Sequence, residues 1–278
     1  AASMAPLPLQ QLSLDAHRGS SATLEVLAAL PRSLTSLKCS FPFTSELPED
    51  DGSDEPPIPR LLAFVFMTQL QHLRELDISS GRWLSLIVED GDALAPLQSL
   101  TQLTKLQLSM VFPKQLQHLP PSLQQLCLGV ELVTVNDVDS LAELAPSLEQ
   151  HAAKVVRLHF WTRELGLTDA EFVSDTKVLA AALQTAAAAA PAGRLQLRHW
   201  ESDSPMHIEV YRQLASCCKL QDLQCGLHQE SIAESMVVVS GMSSLRSLEL
   251  FTAYDADLHS MAATFLQPLL GLTRLTKF

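Results

Sequence analysis

The hydrophobic positions of this chain recur in one form, L-x-x-L-x-L, with Cys, Ile, Val or Phe admitted to the leucine slots. It is clearest in Leu97–Ser109, where leucines stand at Leu97, Leu100, Leu103, Leu106 and Leu108. Three-residue steps suit a tight helical turn, and the closing two-residue step suits a strand with one buried face. The segment therefore predicts a turn that runs into a strand. The same form stands at Leu9, Leu12, Leu14, then at Leu34, Leu37, Cys39 and at Leu73, Leu76, Ile78. It returns at Leu123, Leu126, Leu128 and at Val155, Leu158, Phe160, and a weaker copy is Ala192, Leu195, Leu197. Leu220, Leu223, Cys225 and Leu245, Leu248, Leu250 follow. The last slots of successive copies are 20 to 39 residues apart. Leu269, Leu272, Leu275 and Phe278 match Leu97, Leu100, Leu103 and Leu106, so the chain stops inside a tenth copy. A repeat array needs atypical end copies to cover its last apolar faces. None is readable, so the chain reads as a piece of a longer protein.

Between the strands the pattern predicts helices. Thr23–Leu30 and Leu61–Leu70 are apolar enough to lie on a core, and Asp137–Ala145 sets Val138, Leu141 and Leu144 on one face. Thr168–Glu171 and Ser231–Glu234 read as capping boxes. The first opens a helix to about Ala189 that Pro191–Gly193 stops, and the second opens one that Gly241 ends. Ala256–Leu266 is a further helix. Residues 46–57, ELPEDDGSDEPP, hold six acids and three prolines with no apolar anchor, which predicts a flexible acidic loop.

Composition narrows the partners. A formal net charge of -12 disfavours nucleic acid and anionic membrane surfaces. No apolar run approaches the roughly 20 residues of a membrane span, and no signal peptide is visible. Five cysteines, an odd and sparse set, favour a reducing compartment. Asn136 is followed by Asp137 and Val138, so no glycosylation sequon exists. The expected location is cytoplasmic or nuclear.

The nine L-x-x-L-x-L copies resemble the leucine-rich repeat superfamily, in its ribonuclease-inhibitor-like group, over almost the whole chain. The resemblance implies an α/β solenoid, or horseshoe, with a parallel concave sheet and a mainly helical convex side. Residues 1–278 would then be one domain of nine to ten irregular repeats. It also implies binding as the default role. Many intracellular relatives in that superfamily are substrate receptors of ubiquitin ligases, with an F-box ahead of the repeats, and no F-box is readable here.

In a strand x-L-x-L-x the leucines point inward and the x residues outward. The outward rows include Glu75, Asp77, Ser79, then Lys105, Gln107, Ser109, then Gln125, Cys127, Gly129. The sixth row reads Arg157, His159, Trp161 and the seventh Arg194, Gln196, Arg198, with Arg163 and Trp200 nearby. Arginine and tryptophan are enriched at binding hot spots. These six residues are the candidate partner site, suited to an acidic or aromatic peptide of another protein.

Other constellations carry less. Cys217, Cys218, Cys225 and His228 lack the paired short-loop spacing of a zinc site, and Cys225 fills an inward slot. Glu89–Asp92 resembles half a calcium loop without its remaining ligands. No H-E-x-x-H, G-x-G, G-K-[ST] or G-x-S-x-G occurs. The chain is therefore expected to be no enzyme, to need no cofactor or metal, and to act as a protein-binding scaffold. Its most specific form is the substrate-recognition module of an intracellular, ubiquitin-ligase-type adaptor. The alternatives are a structural subunit held permanently in a larger complex, and an enzyme whose catalytic domain lies outside this chain.

Overall fold

A computed structural model describes residues 9–15, 26–40, 65, 67–78, 94–111, 113–132, 138–162, 176–227, 231–252 and 267–277. The acidic stretch 46–57, the first capping box at Thr168, the Glu89–Asp92 segment and the helix expected at Ala256–Leu266 lie outside these residues. The fold is α/β. Nine strands form a parallel sheet in chain order, with helices and short 3-10 turns in the returning segments. The strands are β1 (Gln11–Asp15), β2 (Ser36–Ser40), β3 (Glu75–Ile78), β4 (Lys105–Val111), β5 (Gln125–Leu132), β6 (Val155–Thr162), β7 (His199–Pro205), β8 (Asp222–Leu227) and β9 (Ser247–Thr252).

Two compact units divide the chain, one holding Ala1–Val111 with Gln115–Leu126 and the other Phe112–Lys114 with Cys127–Phe278. In the first unit β1 to β4 pair in parallel with no slip, so that Leu37 sits beside Leu76 and Leu76 beside Leu106. Leu34, Leu37, Cys39, Leu73, Leu76, Ile78, Leu103, Leu106 and Leu108 are all buried. Stacking the same slot from copy to copy gives each leucine identical neighbours above and below. Full burial of one such side chain contributes about 1.5–3 kcal/mol, which is why a leucine-rich, aromatic-poor chain holds together.

One backbone device recurs in both units. The residue just before each strand offers its carbonyl to two successive N–H groups of the next copy. Thr35 accepts from Arg74 and Glu75, Arg74 from Thr104 and Lys105, and Thr104 from Gln124 and Gln125, all at 2.8–3.0 Å. In the second unit Arg198 accepts from Gln221 and Asp222, Gln221 from Arg246 and Ser247, and Arg246 from Thr276 and Lys277. Where this residue is threonine its hydroxyl adds a bond to the preceding carbonyl, Thr35 to Gln10, Thr104 to Arg74 and Thr276 to Arg246, at 3.0–3.1 Å. The ladder reaches Lys277, which bridges Ser247 in parallel, as the tenth copy requires.

Among the described residues the second unit carries four helices: α1 (Val138–His151), α2 (Lys177–Ala189), α3 (Ile208–Cys217) and α4 (Ile232–Ser240). Helix α1 runs six residues beyond the expected Ala145 and keeps Pro146 inside it. Helix α2 ends as expected, with Pro191–Gly193 turning through Gly193 at φ 63°. Helix α3 is absent from the sequence-based expectation. It buries Val210, Tyr211, Leu214 and Cys217, and the His207 ring accepts from the Glu209 amide at its start. The Tyr211 hydroxyl donates to the Gly226 carbonyl at 2.6 Å and so ties α3 to the end of β8. The second capping box places α4 correctly but is not closed, because Ser231 makes no side-chain cap bond. Its partner Glu234 pairs instead with Arg212 of α3.

Candidate functional site

The register of the second unit assembles two rows on one face of the strands. Arg157 lies beside His199, His199 beside Asp222, Asp222 beside Ser247 and Ser247 beside Lys277. Two residues further on, His159 lies beside Glu201, Glu201 beside Gln224 and Gln224 beside Glu249. The intervening Leu158, Trp200, Leu223 and Leu248 are each about 1 % exposed, so the period of two sends the rows to the opposite face. Every residue of both rows is exposed or half-buried.

The rows carry more acid than base. His159 Nδ1 stands 3.3 Å from Glu201 Oε2. Burial, with the Arg157 guanidinium beside it, pushes the His159 ring down to about 4. The ring is therefore neutral at pH 7, and its contact with Glu201 is that of a polar ring nitrogen with a carboxylate and not of two full charges. His199 Nδ1 lies 2.5 Å from Asp222 Oδ2, a close approach that does not meet the geometry of a hydrogen bond. Glu201, Asp222 and Glu249 thus face Arg157 and Lys277 across the described part of the sheet. In the first unit the outward residues also alternate, and Lys38 pairs with Asp77 at 3.3 Å.

The six residues singled out in the sequence separate. Arg157 and His159 lie on the strand face in the sixth row, as expected. Trp161 falls within β6, and its side chain is outside the described residues. Arg194, Gln196 and Arg198 are not a strand row. Strand β7 begins at His199, and the three residues precede it as exposed positions in an irregular segment. The true slots of the seventh copy are Leu197, Trp200 and Ser202. Trp200 is 1 % exposed and Ser202 fully buried. The Trp200 ring stacks against Phe160 at 5.0 Å between centroids, tilted by 39°. An indole and a serine in leucine slots hide the copy, while Leu195 and Leu197 imitate it five residues early. His199 and Glu201 are the residues that the sequence reading missed. Admitting tryptophan and serine to those two slots would have found them.

Further outward assignments also change. Ser109 is 4 % exposed and its hydroxyl donates to the Ile78 carbonyl at 3.2 Å. Gly129 and Gly226 are buried as well. Past the sixth slot these outward positions are buried too, so the simple alternation no longer reports exposure. Arg194 goes elsewhere, to an open groove of about 470 Å³ that it shares with Lys219 and Arg274.

The cysteines are mostly withdrawn. Burial pushes the Cys39 thiol up to about 12, aided by Asp77, and burial does the same to Cys225. Cys217 and Cys218 bring their sulfurs to 3.4 Å. The Cys218 thiol favours the Cys217 thiolate, and its own ionisation is pushed up by that same contact. Among the described residues no group of three or more His, Cys, Asp or Glu side chains is placed to hold a metal ion. His228 lies outside them. Among the described residues no helix is long and apolar enough to cross a membrane. No protein-family model matches the chain, and no curated protein matches it.

Proposed function

We propose that this chain is a non-catalytic protein-binding module of the leucine-rich repeat kind, a solenoid whose outward strand face engages another protein. The observation that supports this most is the in-register pairing from Arg157 and His159 through Glu201 and Asp222 to Glu249, with the β7–β8 register shifting only beyond Glu201. It repeats polar and charged side chains at the strand spacing of about 4.8 Å, a surface on which a partner makes one contact per copy. The described face bears Glu201, Asp222 and Glu249 against Arg157 and Lys277. Of the acidic or aromatic peptide expected from the sequence, the acidic form suits this face less well than a segment with basic side chains. Within this role the most specific reading is substrate recognition in an intracellular, ubiquitin-ligase-type adaptor. Affinity capture with mass spectrometry tests it. Recovery of a ubiquitin-ligase adaptor with the chain supports recognition, and a stable stoichiometric complex without one replaces it with the permanent-subunit reading.

A further inference from the structure

Away from the strand face, the second unit has a groove of about 470 Å³ lined by Arg194, Lys219 and Arg274 together with Ser243, Ser244 and Thr273. Among the described residues no Asp or Glu lines it, in a chain with a formal net charge of -12. All three cations are exposed, and among the described residues none forms a salt bridge. The gathering is built by the repeat. Lys219 and Ser244 each stand two residues before the carbonyl rung of their own copy, at Gln221 and Arg246, and Arg274 stands two before the matching position, Thr276. The turn at this point leaves a donor over. Among the described residues the backbone N–H groups of Lys219, Ser244 and Arg274 have no protein acceptor, although their neighbours Leu245 and Leu275 donate to Met242 and Leu272. The hydroxyls of Ser244 and Thr273 are likewise uncommitted among the described residues. At the nearby ends of α3 and α4 the Leu214 carbonyl accepts from Cys218, Val238 from Gly241 and Val239 from Met242.

Three cations beside three uncommitted amides, with no carboxylate among the described lining residues, suit an oxyanion. A phosphomonoester suits it better than a carboxylate, because it carries close to two charges and three acceptor oxygens at neutral pH. We propose that this groove binds a phosphorylated serine or threonine side chain of a partner protein. The site goes beyond the strand-face reading and does not depend on it, since phosphate binding is measurable with no partner present.

The test is a backbone amide NMR titration of the deuterated full chain at constant ionic strength. The probes are inorganic phosphate, a Gly-phosphoserine-Gly peptide and a Gly-Glu-Gly peptide. The expected result is saturable movement of the Lys219, Ser244 and Arg274 amides with phosphate and with the phosphopeptide. The glutamate peptide should bind about tenfold more weakly or worse. Arg194→Gln, Lys219→Gln and Arg274→Gln combined should weaken phosphate by about tenfold or more, with the remaining spectrum unchanged as the check on folding. Arg246→Gln, an exposed arginine outside the groove, should leave binding within about twofold. Absent movement, or equal movement with the glutamate peptide, overturns the proposal. So does binding of free phosphate without the phosphopeptide, and so does a charge-removed variant that binds like the wild type.

Discussion

Trp200 is the residue on which the register of the second unit turns, and replacing it gives the sharpest test of that register. Its ring is 1 % exposed and stacked at 5.0 Å on Phe160. Trp200→Ala removes the whole indole from a closed site, a change that costs about 3–5 kcal/mol. The loss includes about 0.5–1.5 kcal/mol for the aromatic pair. One term opposes it. Among the described residues the buried Trp200 Nε1 has no acceptor, a state that costs about 1–3 kcal/mol. Trp200→Phe removes that orphan donor and keeps an aromatic face toward Phe160, so it should cost less than half of the alanine change. The assay is urea denaturation followed by far-UV circular dichroism, with midpoints and slopes compared across wild type, Trp200→Ala and Trp200→Phe. Loss of less than about 0.5 kcal/mol in Trp200→Ala, the size of an ordinary surface change, would refute the register. Trp200 would then be outward-facing, and Arg194–Arg198 would be the strand.

Three further expectations rest on separate observations. His159 is held neutral down to about 4 by burial and Arg157, whereas an unfolded histidine titrates near 6.5. The unfolded chain therefore binds the extra proton first, and stability is lost as pH falls from about 6.5 toward 4. His207, lowered chiefly by burial, acts in the same direction. His159→Asn should flatten the dependence of the urea midpoint over that range, and an unchanged slope counts against the assignment. Thr104→Val removes the hydroxyl bond to the Arg74 carbonyl and should cost about 0.5–1 kcal/mol in the same assay, while Thr104→Ser should recover most of it; equal losses would show that the hydroxyl bond does not carry the effect. Cys39 and Cys225, both pushed up to about 12, should resist iodoacetamide in the native protein and react on unfolding. Peptide mapping that finds them alkylated as fast as the half-buried Cys127 would contradict their burial.

Much of the scaffold is legible from periodicity alone, and the reason is that the leucine slots perform two tasks at once. Leu34, Leu37 and Cys39 mark β2, and Leu220, Leu223 and Cys225 mark β8, because each slot is both a local strand signal and a stacking position. The signal fails where another side chain fills the slot equally well. Trp200 fills one by stacking on Phe160, and Ser202 occupies one at full burial. Helix α3 escapes for a different reason. Its apolar face of Val210, Leu214 and Cys217 is interleaved with Glu209, Arg212 and Gln213 over barely three turns, and it opens on a histidine cap instead of Ser, Thr, Asp or Asn. The capping box at Ser231 marks the position of α4 without its hydrogen bonds, since Glu234 meets Arg212.

The candidate site is less legible than the scaffold. Arg157 and His159 follow from alternation along one strand. Which residues stand beside them depends on a register between strands that are 42 positions apart in the chain, as Arg157 and His199 are. A shift of the seventh copy turns a presumed arginine cluster into a row of histidines and carboxylates. The same shift releases Arg194 to the groove with Lys219 and Arg274. Charge counted along the sequence located the basic residues but not their neighbours.

The most direct measurement on the strand face compares partner recovery by the wild-type chain with that of a charge-reversed chain, Asp222→Lys with Glu249→Lys. Both positions are outward and solvent-accessible, so the fold should be kept, with circular dichroism as the check. If this face holds the partner, the protein captured by the wild type falls by about tenfold or more with the reversed chain. Equal recovery by two equally folded chains would contradict binding through the strand face.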